Sequence, residues 1–92
     1  MGKVKLRLLG TLAAVIGRKE LETEASTLKG SLDSLTAEYG DKFKAKVFDT
    51  TGNPKRQIKI YVNGKDIRFL NKLDTLLNDG DEVLILPAVT GG

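Results

Sequence analysis

Two glycines, Gly91 and Gly92, finish a short stretch, Pro87-Ala88-Val89-Thr90-Gly91-Gly92, that follows an apolar run directly. Because neither glycine carries a side chain, the peptide leading to the terminal carboxylate is no wider than its backbone, and a narrow channel can admit it. The chemistry open to such an end is acyl transfer, with the carboxylate of Gly92 as the reacting group. In most proteins a glycine-ended terminus is only a loose end, so the weight falls on what precedes this one.

The rest of the chain offers little competing chemistry. Its 92 residues contain no cysteine and no histidine, which excludes disulfides, thiolate nucleophiles, thiol or imidazole metal sites and histidine general bases. Phosphate-loop and dinucleotide fingerprints are absent. A content of 40% hydrophobic and 29% charged residues is that of one soluble globular domain. No run approaches the ~18 apolar residues of a membrane span, and the charged start Lys3-Val4-Lys5 lacks the apolar core expected of a secretory signal. Gly2 makes no case for myristoylation, because Leu6 stands where that motif has Ser or Thr. A net charge of +3 permits an acidic partner, while three Phe and two Tyr are too scattered for a nucleic-acid stacking platform. The expectation is a cytoplasmic protein with no nucleic-acid or membrane partner, monomeric when free.

The elements that must position the tail follow from periodicity. Val4, Leu6 and Leu8 alternate with Lys3, Lys5 and Arg7, predicting a first strand over residues 3–9. Residues 11–16, bracketed by Gly10 and Gly17, are expected to be an irregular connection or a single turn. Residues 18–25 read as a second strand, with Glu20, Glu22 and Glu24 opposite the basic face of the first. Leu28, Leu32, Leu35 and Tyr39 recur at helical spacing behind the candidate caps Ser26 and Thr27, and Gly40 ends that helix. Gly30 inside it costs roughly 1 kcal/mol against alanine.

Residues 41–56 are the least determined, with Phe43, Val47 and Phe48 as anchors, a turn-rich loop over 49–54 and a basic face expected to be solvated. Residues 57–62 alternate again, and Asn63-Gly64 is a strong hairpin signal leading to a short strand over 65–68. Residues 69–77, with Phe69, Leu70, Leu73, Leu76 and Leu77, suffice for one turn covering the core. Asn78-Asp79-Gly80-Asp81 is a turn, residues 82–86 are the last strand, and Pro87 ends it. An α+β domain over residues 1–86 with a flexible tail over 87–92 is the expected organisation.

The run Ile60-Tyr61-Val62-Asn63-Gly64-Lys65-Asp66-Ile67, then Leu73-Asp74-Thr75-Leu76-Leu77, then Asp79-Gly80-Asp81-Glu82-Val83 and the Gly-Gly tail resembles the small subunit of molybdopterin synthase and the small archaeal modifier proteins. The resemblance covers the last third closely and the first 40 or so residues in pattern only. It implies a ubiquitin-like β-grasp: a mixed sheet of order 2-1-5-3-4 with one main helix on one face. If Val83 and Ile85 face that helix, Leu84 and Leu86 face away from it, together with Lys5, Arg7, Lys59 and Tyr61. These residues and Phe69 are the candidate docking surface.

In that family the terminal carboxylate is activated by a ubiquitin-activating-type adenylating enzyme, which uses ATP and Mg²⁺. The carrier itself binds no cofactor or metal and has no catalytic residue. The acyl-adenylate at Gly92 then yields either a thiocarboxylate, delivered to a molybdopterin synthase large subunit, or an amide with lysines of target proteins. Pro87 would stiffen the exit, Ala88, Val89 and Thr90 would give reach of up to ~3.5 Å per residue, and Gly91 and Gly92 would form the thin tip.

Overall fold

The computed structural model describes residues 2–87. Five strands form one mixed sheet of order β2-β1-β5-β3-β4, the β-grasp order that the resemblance implies. β1 (Gly2–Leu8) and β2 (Glu20–Ala25) pair antiparallel, β5 (Glu82–Pro87) runs parallel to β1, and β3 (Ile58–Val62) lies antiparallel to β5. β4 (Lys65–Asp66) closes the far edge.

The alternation of β1 is what the sequence dictates. Val4, Leu6 and Leu8 are fully buried, while Lys3, Lys5 and Arg7 are exposed. The main helix, α2 (Leu28–Tyr39), packs Leu28, Leu32 and Leu35 into the same core. Thr27 caps it by accepting from the Gly30 N–H at 3.0 Å. A Cβ on Gly30 would stand 3.2 Å from Thr27 Oγ1, so this glycine leaves room for the cap that starts its own helix.

Three segments depart from the sequence-based expectation. Residues 11–16 are not irregular: they form a short helix, α1 (Thr11–Ile16), because Leu12 buries completely and Gly17, at φ 84°, closes the last turn on the Ala13 carbonyl. Asp41–Val47 is a further helix, α3, whose Phe43 and Val47 sit one turn apart and are fully buried. The expected strand over 65–68 stops at Asp66, whose carboxylate accepts from the Arg68 N–H at 2.9 Å and turns the chain into a 3-10 helix, Ile67–Phe69.

Residues 69–77 therefore do not act as one covering turn. A second 3-10 helix, Lys72–Asp74, follows, Leu77 is buried, and Phe69 and Leu76 are 79% and 70% exposed. Phe48 and Pro54 meet in an isolated bridge across the loop between α3 and β3. That loop is tied by Asp49, which accepts from the Thr51 hydroxyl at 2.6 Å and from the backbone N–H groups of Thr51 and Asn53. These bonds hold the Asp49 carboxyl below the usual aspartate range, the Thr51 hydroxyl contributing most.

Candidate functional site

The site is built around β5, an inner strand bonded on both sides. Val83 and Ile85 are fully buried beneath the helices, which turns Leu84 and Leu86 to the opposite face, where each is half-buried. The register then aligns one row across all five strands: Glu20, Arg7, Leu84, Tyr61 and Asp66 are successive partners. Lys59 stands opposite Leu86, and Lys5 opposite Glu82. The sheet therefore brings together Lys5, Arg7, Lys59, Tyr61, Leu84 and Leu86 as the alternation predicts.

Phe69 is not in that row. It lies in the 3-10 turn beyond β4, outside the strand register, so the sheet itself does not assemble it with Leu84 and Leu86. Sequence reasoning missed a neighbour that belongs there. Leu9 continues the alternation after Lys5 and Arg7, donates its N–H to Ile85 at 3.1 Å, and is 43% exposed. The same period of two that picked out Arg7 could have found it.

Charges frame the apolar strip. Arg7 meets Glu20 at 3.6 Å with both side chains about half exposed, a pair worth ~0–1 kcal/mol. At the other end Arg68 grips Asp66 at 2.9 Å. The hydrogen bonds from Arg68 hold the Asp66 carboxyl below its ordinary range, and Asp66 in turn raises the Arg68 guanidinium.

The root of the tail is fixed from two sides. The Asn63 N–H donates to Glu82 at 2.8 Å and the Leu9 N–H to Ile85, so even-numbered residues of β5 bond to β3 and odd-numbered ones face β1. Pro87 is odd. Its missing N–H falls on the β1 side just past the bond from Leu9 to Ile85, so the pairing with β1 stops there, and Pro87 closes β5 opposite Ile58 instead of standing just past it as expected. Gly10, at φ 61° and ψ −136°, turns the chain away there, and a Cβ on it would meet Pro87 Cγ at 3.1 Å.

At the other end of β5 the Asp-Gly-Asp turn anchors the strand. Asn63 donates from its side-chain amide to Asp81 at 3.0 Å and accepts from the Glu82 N–H at 3.0 Å. Asp79 accepts from the Lys3 N–H at 2.9 Å, and the Lys5 N–H donates to the Asp81 carbonyl at 3.0 Å. The remaining predicted site residues, Ala88, Val89, Thr90, Gly91 and Gly92, lie outside the described residues. No helix among the described residues is long and apolar enough to cross a membrane.

Comparison with known proteins agrees with this architecture. The chain is 38% identical over 78 residues to the sulfur carrier protein CysO of Mycobacterium tuberculosis, covering 83% of each. It is 31% identical over 93 residues to small archaeal modifier protein 3 of Haloferax volcanii, covering 98% of this chain and 99% of that one. The solution structure of small archaeal modifier protein 1 from Methanosarcina acetivorans superposes with a TM-score of 0.84 at 35% identity, covering 100% of this chain and 98% of that one. The ThiS family model matches residues 6–92, and the chain belongs to the ThiS family of ubiquitin-like sulfur carriers and modifiers.

Proposed function

We propose that this protein is a sulfur carrier whose Gly92 carboxylate is adenylated by a ubiquitin-activating-type enzyme and converted to a thiocarboxylate, with molybdopterin synthesis as the destination of the sulfur. A carboxylate is a poor electrophile and needs activation. Its oxygen attacks the α-phosphorus of ATP and pyrophosphate leaves; a donor sulfur then attacks the acyl carbon, and AMP departs with the electrons of the C–O bond. ATP and Mg²⁺ belong to the activating enzyme in this scheme, and the carrier supplies the substrate carboxylate.

The observation that carries the reading is the placement of β5. It is held on both sides, it presents Leu84 and Leu86 beside Arg7 and Tyr61 on the face away from the helices, and it runs directly into Ala88-Val89-Thr90-Gly91-Gly92. A partner that docks on this strip receives the tail from a constant origin.

The similarity to small archaeal modifier protein 3 favours a second reading, in which the same activated carboxylate forms an amide with a lysine of a target protein. Intact mass measurement of the protein from its own cells separates the two. A gain equal to the difference between sulfur and oxygen supports the carrier; larger species joined through an isopeptide bond at Gly92 support the modifier. Both readings need Gly92, so normal adenylation of a Gly92→Val variant by the cognate enzyme would sink them together.

A further inference from the structure

On the sheet edge far from β2, the two residues of β4 pair with β3 only at Tyr61 and Val62. Beside the rest of β3 a cleft of about 890 Å³ opens, within the usual size of a binding pocket. Its floor is apolar: Ile58, Ile60 and Ile67 are exposed by only 8%, 2% and 7%, and Leu73 is half-buried.

Its rim is cationic. Lys29 comes from α2, Lys55 and Arg56 from the loop before β3, Lys59 from β3, and Arg68 and Lys72 from the two 3-10 helices, against the carboxylates of Asp66 and Asp74. Arg68 is paired with Asp66 and Lys29 with Asp33, at 2.9 and 3.0 Å. Lys55, Arg56, Lys59 and Lys72 have no ion-pair partner among the described residues. The loop carrying Lys55 and Arg56 is held in place, with the Lys55 N–H donating to Val47 at 2.8 Å behind the bonds to Asp49. Cations gathered from separate elements repel one another, and an anionic ligand relieves that repulsion.

We propose that this cleft binds an acidic, aliphatic peptide segment of a partner protein. Its carboxylates would lie toward Lys55, Arg56, Lys59 and Lys72, and its apolar side chains on the isoleucine floor. An inorganic phosphate would leave that floor unused. A nucleic acid would find no aromatic side chain in the lining on which to stack a base. The position is informative too. Ile58 pairs with Pro87 across β3, so a segment seated here lies on the order of 10 Å, about two strand spacings, from the root of the tail.

The test uses the full chain, labelled with ¹⁵N, and does not depend on any reaction at Gly92. A synthetic octapeptide alternating Glu or Asp with Ile, Leu or Val should produce saturable shifts at the amides of Lys55, Arg56, Lys59, Arg68 and Lys72. The affinity should fall at least tenfold in a Lys55→Gln, Arg56→Gln, Lys72→Asn triple variant, and as much for the same peptide with Gln and Asn as its polar residues. Asn is chosen at Lys72 because that residue has φ 53°, a conformation asparagine tolerates. An unchanged circular dichroism melt confirms that the variant folds. The proposal is overturned by absent or unsaturable shifts, by shifts centred on Leu84 and Tyr61, by equal binding of the uncharged peptide, or by pyrophosphate or an oligonucleotide occupying the cleft as tightly as the acidic peptide.

Discussion

Gly10→Ala probes how the tail's origin is held. At φ 61° and ψ −136° the backbone of Gly10 lies where L side chains rarely go, at a cost of about 1–3 kcal/mol for alanine. The new Cβ would also meet Pro87 Cγ at 3.1 Å and Cδ at 3.5 Å, so the proline ring must yield by a few tenths of an ångström. For a domain of this size each kcal/mol lowers Tm by about 4–8 °C, giving an expected fall of roughly 5–20 °C. Gly17→Ala is the control. Gly17 has φ 84°, but a methyl group there would find nothing within 4 Å, so alanine costs only about 1–2 kcal/mol of left-handed backbone. Thermal melts give the stabilities, and amide spectra report on Leu86 and on Ile58, the cross-strand partner of Pro87. If Gly10→Ala melts no lower than Gly17→Ala and leaves both amides unmoved, Gly10 does not shape the exit and the reasoning fails.

Phe43→Ala should cost about 3–5 kcal/mol in a denaturant titration, because the ring is fully buried; a loss under 1 kcal/mol would mean that α3 is a detachable appendage. Gly2→Ala should destabilise by about 1–3 kcal/mol, since its Cβ would fall 2.4 Å from the Asp79 nitrogen and push away the turn that accepts from Lys3; wild-type thermal stability would refute the close approach. Acid should matter only at low pH. The folded-state carboxyl of Asp66 titrates below its ordinary value because Arg68 bonds to its charged form, so its contribution is complete above about pH 4 and is lost as pH falls through the folded-state value. Asp66→Asn should therefore lower Tm more at pH 7 than at pH 2, and an equal effect at both would contradict the Arg68 pairing.

The parts of the molecule legible in the sequence are those with one face buried. Once Val4, Leu6, Leu8 and then Val83 and Ile85 must go inward, a period of two leaves Lys5, Arg7, Leu84 and Leu86 no other side. The resemblance supplied the strand order, and with it the row through Tyr61. α3 was harder to see because seven residues are too few to hold a helix by themselves. Its only strong signal is the spacing of Phe43 and Val47, and their burial against α1 and α2 supplies what propensity does not. The end of β4 was not legible for another reason. A single carboxylate, Asp66, bonds two residues ahead and turns the chain, an Asx-type interaction that hydrophobic patterning does not register.

The two features of β5 explain each other. A strand that leads directly into the C-terminal residues is better held inside the sheet than at its edge, where a strand bonded on one side only would fray. β5 instead lies between β1 and β3 and is pinned at its start by Asn63 and Asp81. An inner strand of a one-layer sheet still has an uncovered face, and that is where Leu84 and Leu86 come to stand beside Arg7, Tyr61 and Lys59. The topology that holds β5 on both sides thus also places an apolar strip along its uncovered face. The same register sets the cationic cleft on the far side of β3 from Pro87, so the apolar strip and the cleft both lie beside the end of β5.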